Sequence, residues 1–373
     1  MQKKIIALAL AAMAGSAFAQ SNVTIYGVVD AGVAHMTATG LKSQNAVESG
    51  MLGGSRIGFK GVEDLGNGLK ALFTLEYALA VDDNTGIGAL DQAGTFSNTN
   101  WSGSVARQQL VGLTGAFGTA VVGRLQTAGY DWACGYNPLA GSALDTVGKL
   151  SPVAKAPTTL LSCGNAGRAS NALAYISPSF GGVTVALNHA RVSEAAALNA
   201  VNALNGVEKD NTANLISAKY DNGPISASAI YSRISMAGTS TSDDISEYGL
   251  GASYDLKVAK LFGTFQTRKD NSLGGSRDKK YSLAVAAPVS AAGTVVASVA
   301  RNSIKNQPTA VSSDSSTAYN LSYLHALSKR TTAYAGYTRV SNQAAANIGI
   351  VGAYVPTADG NASVLGLGVN HKF

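Results

Sequence analysis

From residue 69 to residue 79 the chain reads LKALFTLEYAL, and odd and even positions differ in character. Leu69, Ala71, Phe73, Leu75, Tyr77 and Leu79 share one face of an extended chain, while Lys70, Thr74 and Glu76 lie on the other with Leu72 and Ala78. A period of two is the signature of a strand with two unlike faces. The segment SRIGFKG sets Ile57 and Phe59 against Arg56 and Lys60 in the same way. EYGLGASYDL sets Tyr248, Leu250, Ala252, Tyr254 and Leu256 against Glu247, Gly249, Gly251, Ser253 and Asp255. YNLSYLHAL places Tyr319, Leu321, Tyr323 and Leu327 opposite Asn320 and Ser322, whereas 331–340 is mixed. The pattern runs to the last residue: in VLGLGVNHKF, Leu365, Leu367, Val369, His371 and Phe373 fall on one side.

The connections come in two sizes. Leu65-Gly66-Asn67-Gly68, Ala116-Phe117-Gly118, Phe180-Gly181-Gly182 and Asp221-Asn222-Gly223-Pro224 are turn-like, with Asn-Gly and Gly-Gly supplying the positive φ of tight hairpins. Polar stretches at 36–54, 82–104, 126–170, 192–212, 236–244, 270–278, 303–316 and 341–361 alternate with them. The pattern predicts sixteen strands, eight long loops and seven short turns, with both termini on the short-turn side. Such an up-and-down sheet closes on itself, its last strand pairing with VTIYGVVDAGV near the start, which leaves no open edge.

Composition sharpens this reading. Charged residues make up 13% of the chain, about half the share in soluble domains, yet no apolar run after residue 19 reaches the ~20 residues of a membrane-spanning helix. In hydrocarbon only helices and closed barrels satisfy every backbone polar group. Strands of about ten residues, short turns on one side and long loops on the other are the outer-membrane pattern. The expectation is an all-β fold: a sixteen-stranded antiparallel transmembrane β-barrel, wide enough to hold a water channel. Residues 1–19, MQKKIIALALAAMAGSAFA, have a basic start, a short apolar run and an Ala17-Phe18-Ala19 cleavage site, which predicts a signal peptide. One barrel domain then fills 20–373. Without Lys3 and Lys4 the 28 basic residues exceed the 22 acidic ones by about four. Their scatter, in an exported chain, argues against a nucleic-acid partner.

Five stretches carry a resemblance to a family: SNVTIYGVVDAGV (21–33), GSRIGFKGVEDLGNGLKALFTLE (54–76), RQQLVGLTGAFGTAVVGR (107–124), YISPSFGGVTVAL (175–187) and the terminal LGLGVNHKF. They resemble the general diffusion porins of Gram-negative bacteria of the Burkholderia, Bordetella, Comamonas and Neisseria type. The resemblance implies a trimer of sixteen-stranded barrels, each with its third long loop folded into the lumen as an eyelet. It implies no cofactor. The implied partners are copies of the chain, outer-membrane lipid and lipopolysaccharide, the barrel-assembly machinery, for which terminal Phe373 resembles the signal, and small anionic or neutral hydrophilic solutes.

An arginine facing lipid at mid-depth costs ~2–4 kcal/mol, so Arg56, Lys60, Arg107 and Arg124 are expected on the lumenal side. In the family, arginines matching Arg56, Arg107 and Arg124 form a ladder opposite the infolded loop, and Arg168 is a candidate to join it. Such a ladder favours anions. The alternatives are that these arginines sit at the barrel rim or pair with carboxylates. The loop 126–170 carries Asp131 and Asp145, which are either eyelet acids opposing the arginines or solvated loop acids. Where relatives commonly show Asp-Pro-Phe-Gly, this chain reads Asn137-Pro138-Leu139-Ala140-Gly141, one acid fewer. Cys134 and Cys163, both in this loop, read as a disulfide in an exported protein. Closing such a loop nominally contributes ~3–4 kcal/mol against the unfolded chain.

No metal-protease, hydrolase, dinucleotide or P-loop motif occurs, and His35, His189, His325 and His371 are widely spaced. No catalysis is expected. The rival readings are a channel selective for an organic acid or sugar, and a secreted soluble all-β binding protein whose sandwich core gives similar alternation.

Overall fold

The computed structural model describes residues 22–83, 106–150, 159–193, 211–235, 244–271, 275–306, 314–350 and 354–373. The signal-peptide expectation lies outside them. The strands are β1 (Asn22–Ala38), β2 (Gln44–Ser49), β3 (Arg56–Gly66), β4 (Leu69–Ala78), β5 (Ala106–Gly115), β6 (Gly118–Gln126), β7 (Arg168–Ile176), β8 (Val183–Ser193) and β9 (Asn211–Asn222). They continue as β10 (Ile225–Ser235), β11 (Ile245–Asp255), β12 (Lys260–Asp270), β13 (Ser276–Pro288), β14 (Gly293–Asn306), β15 (Asp314–Ala326), β16 (Thr331–Gln343) and β17 (Asn361–Lys372). Among the described residues all seventeen belong to one antiparallel sheet, closed by pairing of β1 with β17.

The ring has sixteen places, because β2 and β3 share one. The lower half of β1 pairs with β3 from Val28↔Arg56 downward, and its upper half pairs with β2 from Ala31↔Ser49 upward. This corrects the expectation of a long first loop over 36–54. About half of that stretch is ladder, the end of β1 to Ala38 and all of β2, with residues 50–55 inserted between β2 and β3. The insertion folds inward around the wholly buried Asp30. The Asp30 carboxylate accepts from the backbone N–H of Leu52 (3.2 Å) and Gly53 (3.0 Å), from Tyr334 Oη (2.8 Å) and from Asn370 Nδ2 (2.7 Å).

Turn chemistry acts as expected at the tight end: Asn67 (φ 52°) and Gly68 (φ 77°) both take the positive φ of a two-residue hairpin between β3 and β4. At the terminus, Phe373 exchanges two backbone hydrogen bonds of 3.1 Å with Gly27. The Phe373 ring lies where a side chain on Gly27 would sit, 2.4 Å from its ideal Cβ. The alternating apolar set faces outward. Leu250, Leu283, Leu321 and Leu367 are each more than half exposed, as a surface in contact with lipid requires.

The apolar core lies inside the barrel. The chain between β6 and β7 enters the lumen as helix α1 (Ala128–Gly135), a short helix α2 (Thr146–Lys149) and a 3-10 turn (Asn165–Gly167). Trp132, Tyr136, Leu160 and Leu161 pack on Leu215, Ile230, Ile234 and Ile245 of β9 to β11. Leu139, Leu144 and Leu150 pack on Met51, Val296, Tyr334, Val340 and Val364.

Candidate functional site

The loop covers one side of the lumen and leaves the other bare. Thr127 caps α1 by accepting from the N–H groups of Gly129 (3.2 Å) and Tyr130 (3.3 Å). The helix then lies against β9 and β10. Gly249 and Gly251 admit it: an ideal Cβ would fall 2.7 Å from the Trp132 ring at Gly249 and 2.3 Å from the Tyr136 ring at Gly251. Further on, Thr338 Oγ1 donates to Leu144 O (3.0 Å), Asn302 Nδ2 to Leu150 O (3.1 Å), and Ala143 N to Met51 O (3.1 Å). The returning limb is fixed by buried Glu247, which accepts from Thr159 Oγ1 (2.5 Å) and Leu160 N (2.8 Å). Cys134 and Cys163 form a disulfide joining the outgoing and returning limbs, with Cα atoms 5.0 Å apart.

Opposite the loop stands the wall of β3 to β5. Arg56 opposes Ala78 on the lumenal face, and Lys60 opposes Thr74. Arg107 needs a device to join them, because regular alternation would give that face to Gln108, which pairs with Glu76. A β-bulge between β4 and β5 at Glu76/Tyr77 re-aims it. Arg107 Nε donates to Glu76 Oε1 at 2.7 Å, and Arg56 Nε stands 3.5 Å from Glu76 Oε2. Tyr26 Oη completes the set, 3.1 Å from Glu76 Oε2, and the Lys60 ammonium sits 5.1 Å above the Tyr26 ring. Two guanidinium groups therefore share one carboxylate, and the trio stays net positive. The arginine side chains keep 29% (Arg56) and 17% (Arg107) of their surface open, against 6% for Glu76. Arg168 is buried, its guanidinium 4.5 Å over the Tyr130 ring of α1, at the seam between wall and loop.

Arg124 lies near the loop end of β6, within reach of the infolded loop. The register sets it opposite Gln109, whose amide reaches Tyr77 Oη (3.1 Å) on the outward face. Its guanidinium donates to Ala106 O (2.5 Å), Ser170 Oγ (3.0 Å) and Asn165 Oδ1 (2.6 Å), joining β5, β7 and the 3-10 turn of the infolded loop. The two loop acids also part company. Asp145 is 3% exposed and accepts from the N–H groups of Val147 (2.8 Å), Gly148 (2.9 Å) and Gly141 (3.0 Å) and from Asn137 Nδ2 (2.5 Å). It is the N-cap of α2 and has no oxygen left over for the lumen. Asp131 opens to lumen water, while crowding inside the barrel pushes its carboxyl up toward about 6, opposed by Lys219. Sequence reasoning missed Glu76 and Asp30 as organising groups. Glu76 was visible only as one of three polar residues on the inner face of its strand. Asp30 sits in a stretch with no alternation signal of its own.

The comparisons agree with this architecture. A family model described as Gram-negative porin matches residues 7–345. The chain belongs to the Gram-negative porin family. It is 32% identical to outer membrane porin protein 32 of Delftia acidovorans, with all of both chains covered. It is 26% identical to an outer membrane porin protein of Bordetella pertussis, again across the whole of both chains. Among solved structures it superposes on the anion-selective porin from Comamonas acidovorans with a TM-score of 0.74 and 26% identity, covering 95% of this chain and 100% of that one. The porin is thus an outer-membrane channel protein and not an enzyme.

Proposed function

We propose that this porin is a passive, water-filled channel for small hydrophilic solutes with a preference for anions. The preference is assigned to Arg56, Lys60, Arg107 and Arg168 facing the infolded loop. The observation that carries this reading is the pairing of Arg56 and Arg107 with a single, mostly buried carboxylate on the bare wall. A cation in a narrow passage between low-dielectric walls acts on a passing ion far more strongly than in bulk water. The anion-selective neighbour from Comamonas supports the same sign. Arg124 is assigned a bracing role at the strand tops instead of a place in the ladder. Assembly as a homotrimer, export by a cleaved leader over 1–19, and a role for Phe373 in presenting the closing strand to the assembly machinery belong to the same proposal.

The test is the reversal potential across a planar bilayer under a salt gradient, for wild type, Arg107→Ala and Arg124→Ala. Wild-type anion selectivity that falls in Arg107→Ala and holds in Arg124→Ala is the expected result. Cation selectivity, or equal effects of both substitutions, overturns the assignment. Saturation of conductance by an organic acid or sugar would move the protein to the substrate-selective class.

A further inference from the structure

We infer that residues 50–55, inserted between β2 and β3, are a specificity-determining strut of the channel, and that Asp30, which fastens them, is a positioning residue for Arg56 and Arg107. This rests on the reading of the basic wall as the anion filter. The strut begins where β1 changes partner. β1 pairs with β3 as far up as Val28↔Arg56 and with β2 from Ala31↔Ser49. Asp30 falls in the gap, and a buried backbone group without a partner is costly. The insertion closes the gap. The Asp30 N–H donates to Ser55 Oγ (3.0 Å), and the Asp30 carbonyl accepts from Gly50 N (2.9 Å) and Ser55 Oγ (3.1 Å). The carboxylate holds the crest at Leu52 and Gly53, while Tyr334 of β16 and Asn370 of β17 hold the carboxylate. One residue thus ties the base and the crest of the turn to β1, β16 and β17.

The strut meets both sides of the passage. On the loop side, Met51 is wholly buried in the core around Leu139 and Leu144, and its carbonyl accepts from Ala143 N. On the other side, Gly54 O accepts from Arg56 Nη1 at 2.8 Å. Gly54 also backs Arg107: an ideal Cβ on Gly54 would stand 3.4 Å from Arg107 Nη1. Both guanidinium groups therefore stand against the same glycine as well as the same Glu76.

The strut places charge without changing it. Residues 50–55 carry no ionisable side chain, and a carbonyl directs the guanidinium fork while leaving its charge intact. Glu76, by contrast, directs and partly neutralises. Asp30 is wholly buried on the inner side of β1, and its own negative charge disfavours anions in the passage. The two roles open to Asp30 therefore have opposite signs. As a buried charge alone it lowers anion preference; as the fastener of the strut it raises it. Without the strut, Arg56 loses an acceptor, Arg107 loses its backing and the loop loses its contact at Met51, so the cations no longer stand fixed across from the loop.

Reversal potentials under a salt gradient test this with wild type, Asp30→Ala, Asp30→Asn and Arg107→Ala, each first checked for a closed barrel by its resistance to detergent before heating. Asparagine fits the cage: its oxygen accepts from Leu52 N and Gly53 N, and its amide donates to Tyr334 Oη. It removes the charge and keeps the strut. Asp30→Ala should lower the anion-to-cation permeability ratio about two- to threefold at low salt. Asp30→Asn should leave it at or slightly above the wild-type level. With Arg56→Ala and Arg107→Ala already present, Asp30→Ala should cause no further fall, because residues that act through one another are not additive. Gly54→Val covers the case in which Asp30→Ala does not assemble. It leaves the Asp30 cage in place, crowds Arg107 Nη1, and should shift the ratio in the wild-type background but not beside Arg107→Ala. A rise in Asp30→Ala, equal falls in both Asp30 variants, or a fall that persists without the two arginines overturns the proposal. So does an unchanged ratio in Gly54→Val. If Arg107→Ala itself leaves the ratio unchanged, the anion-filter reading fails and the strut with it. A normal Arg107→Ala response beside an unchanged Asp30→Ala removes the strut alone.

Discussion

On the wall from β3 to β5 the lumenal side chains include Arg56, Lys60 and the re-aimed Arg107, which keep part of their surface open to water, gathered around the buried Glu76. From β9 to β16 the lumenal side chains include Leu215, Ile230, Ile245, Val296 and Val340, and they are sealed beneath the loop. Both walls are made of the same ladder. They differ in which element meets the inner face. Where the loop lies, the strands are covered inside and lipid-facing outside, so apolar residues occupy much of both faces, and the inner charges there, among them Glu247, Arg268, Asp278 and Lys280, are buried. Where it does not, Arg56, Lys60 and Arg107 keep part of their surface open. A barrel this wide leaves an aqueous interior; here part of that interior is filled by the core that the loop builds.

The largest effect should come from dislodging the loop. Gly251→Val puts side-chain atoms into space held by the Tyr136 ring, and overpacking of this kind costs ~1–3 kcal/mol. The barrel ladder is untouched, so folding should persist. Single-channel conductance should rise roughly twofold and anion preference should drop as the passage widens. Unchanged conductance would mean that the loop does not shape the passage. The bare wall should respond differently: Arg107→Ala leaves conductance nearly intact while lowering the anion-to-cation permeability ratio roughly three- to tenfold at low salt. Glu76→Gln should move the ratio the opposite way, by freeing two guanidinium groups from their shared counter-charge. If both substitutions shift it in the same direction, the charge argument fails.

These two walls also explain what the sequence made legible. The alternation at 69–79 and 245–255, the Asn67-Gly68 turn and the terminal strand were readable because a lipid-facing strand must show a period of two. The Cys134–Cys163 pairing was readable from compartment and count. The first loop was misread because residues 44–49 are polar enough to pass for loop while pairing with β1, and Asp30, which organises the insertion, gains its partners only in three dimensions. Arg124 was hard to place because parity does not carry through β6, where the register with β7 shifts between Gly123 and Leu125. Asp145 was ambiguous because a lumenal acid and a helix-capping acid look alike in one dimension. The mixed character of 331–340 has the same origin as the covered wall: Tyr334 and Val340 point into the core that the loop creates.

Removing the disulfide sharpens the comparison at intermediate scale. Cys134→Ser with Cys163→Ser frees the two limbs of the loop but leaves Glu247 and the packing of Trp132 and Tyr136 in place. The nominal ~3 kcal/mol of such a cross-link is measured against the unfolded chain, so it should appear in unfolding experiments more than in the open channel. Thermal unfolding should shift downward. Mean conductance should change little, while current noise in the open state should grow. A large change in mean conductance would show that the cross-link, and not the packing, holds the loop.

The smallest expected effect concerns the one loop acid still open to the passage. Asp131 lies in the first turn of α1 with its carboxyl raised toward about 6 by burial and pulled back by Lys219. The direction sets a clear sign. Above its pKa Asp131 is an anion exposed to the lumen, beside Lys219, and repels passing anions; as pH falls through about 6 it becomes neutral and this repulsion is lost. Anion preference should therefore rise modestly, roughly twofold or less, between pH 7 and pH 5. The basic wall keeps its charge over that range, since guanidinium and ammonium groups titrate far above it. For stability the linkage runs the same way: a carboxyl raised in the folded state binds a proton more readily there than in the unfolded chain, so the loop gains stability as pH falls. Asp131→Asn should flatten the selectivity profile at its low-pH level, with Asp145→Asn destabilising the loop without flattening it. A profile that stays steep in Asp131→Asn would assign the titration to another group and return Asp131 to the status of a solvated loop residue.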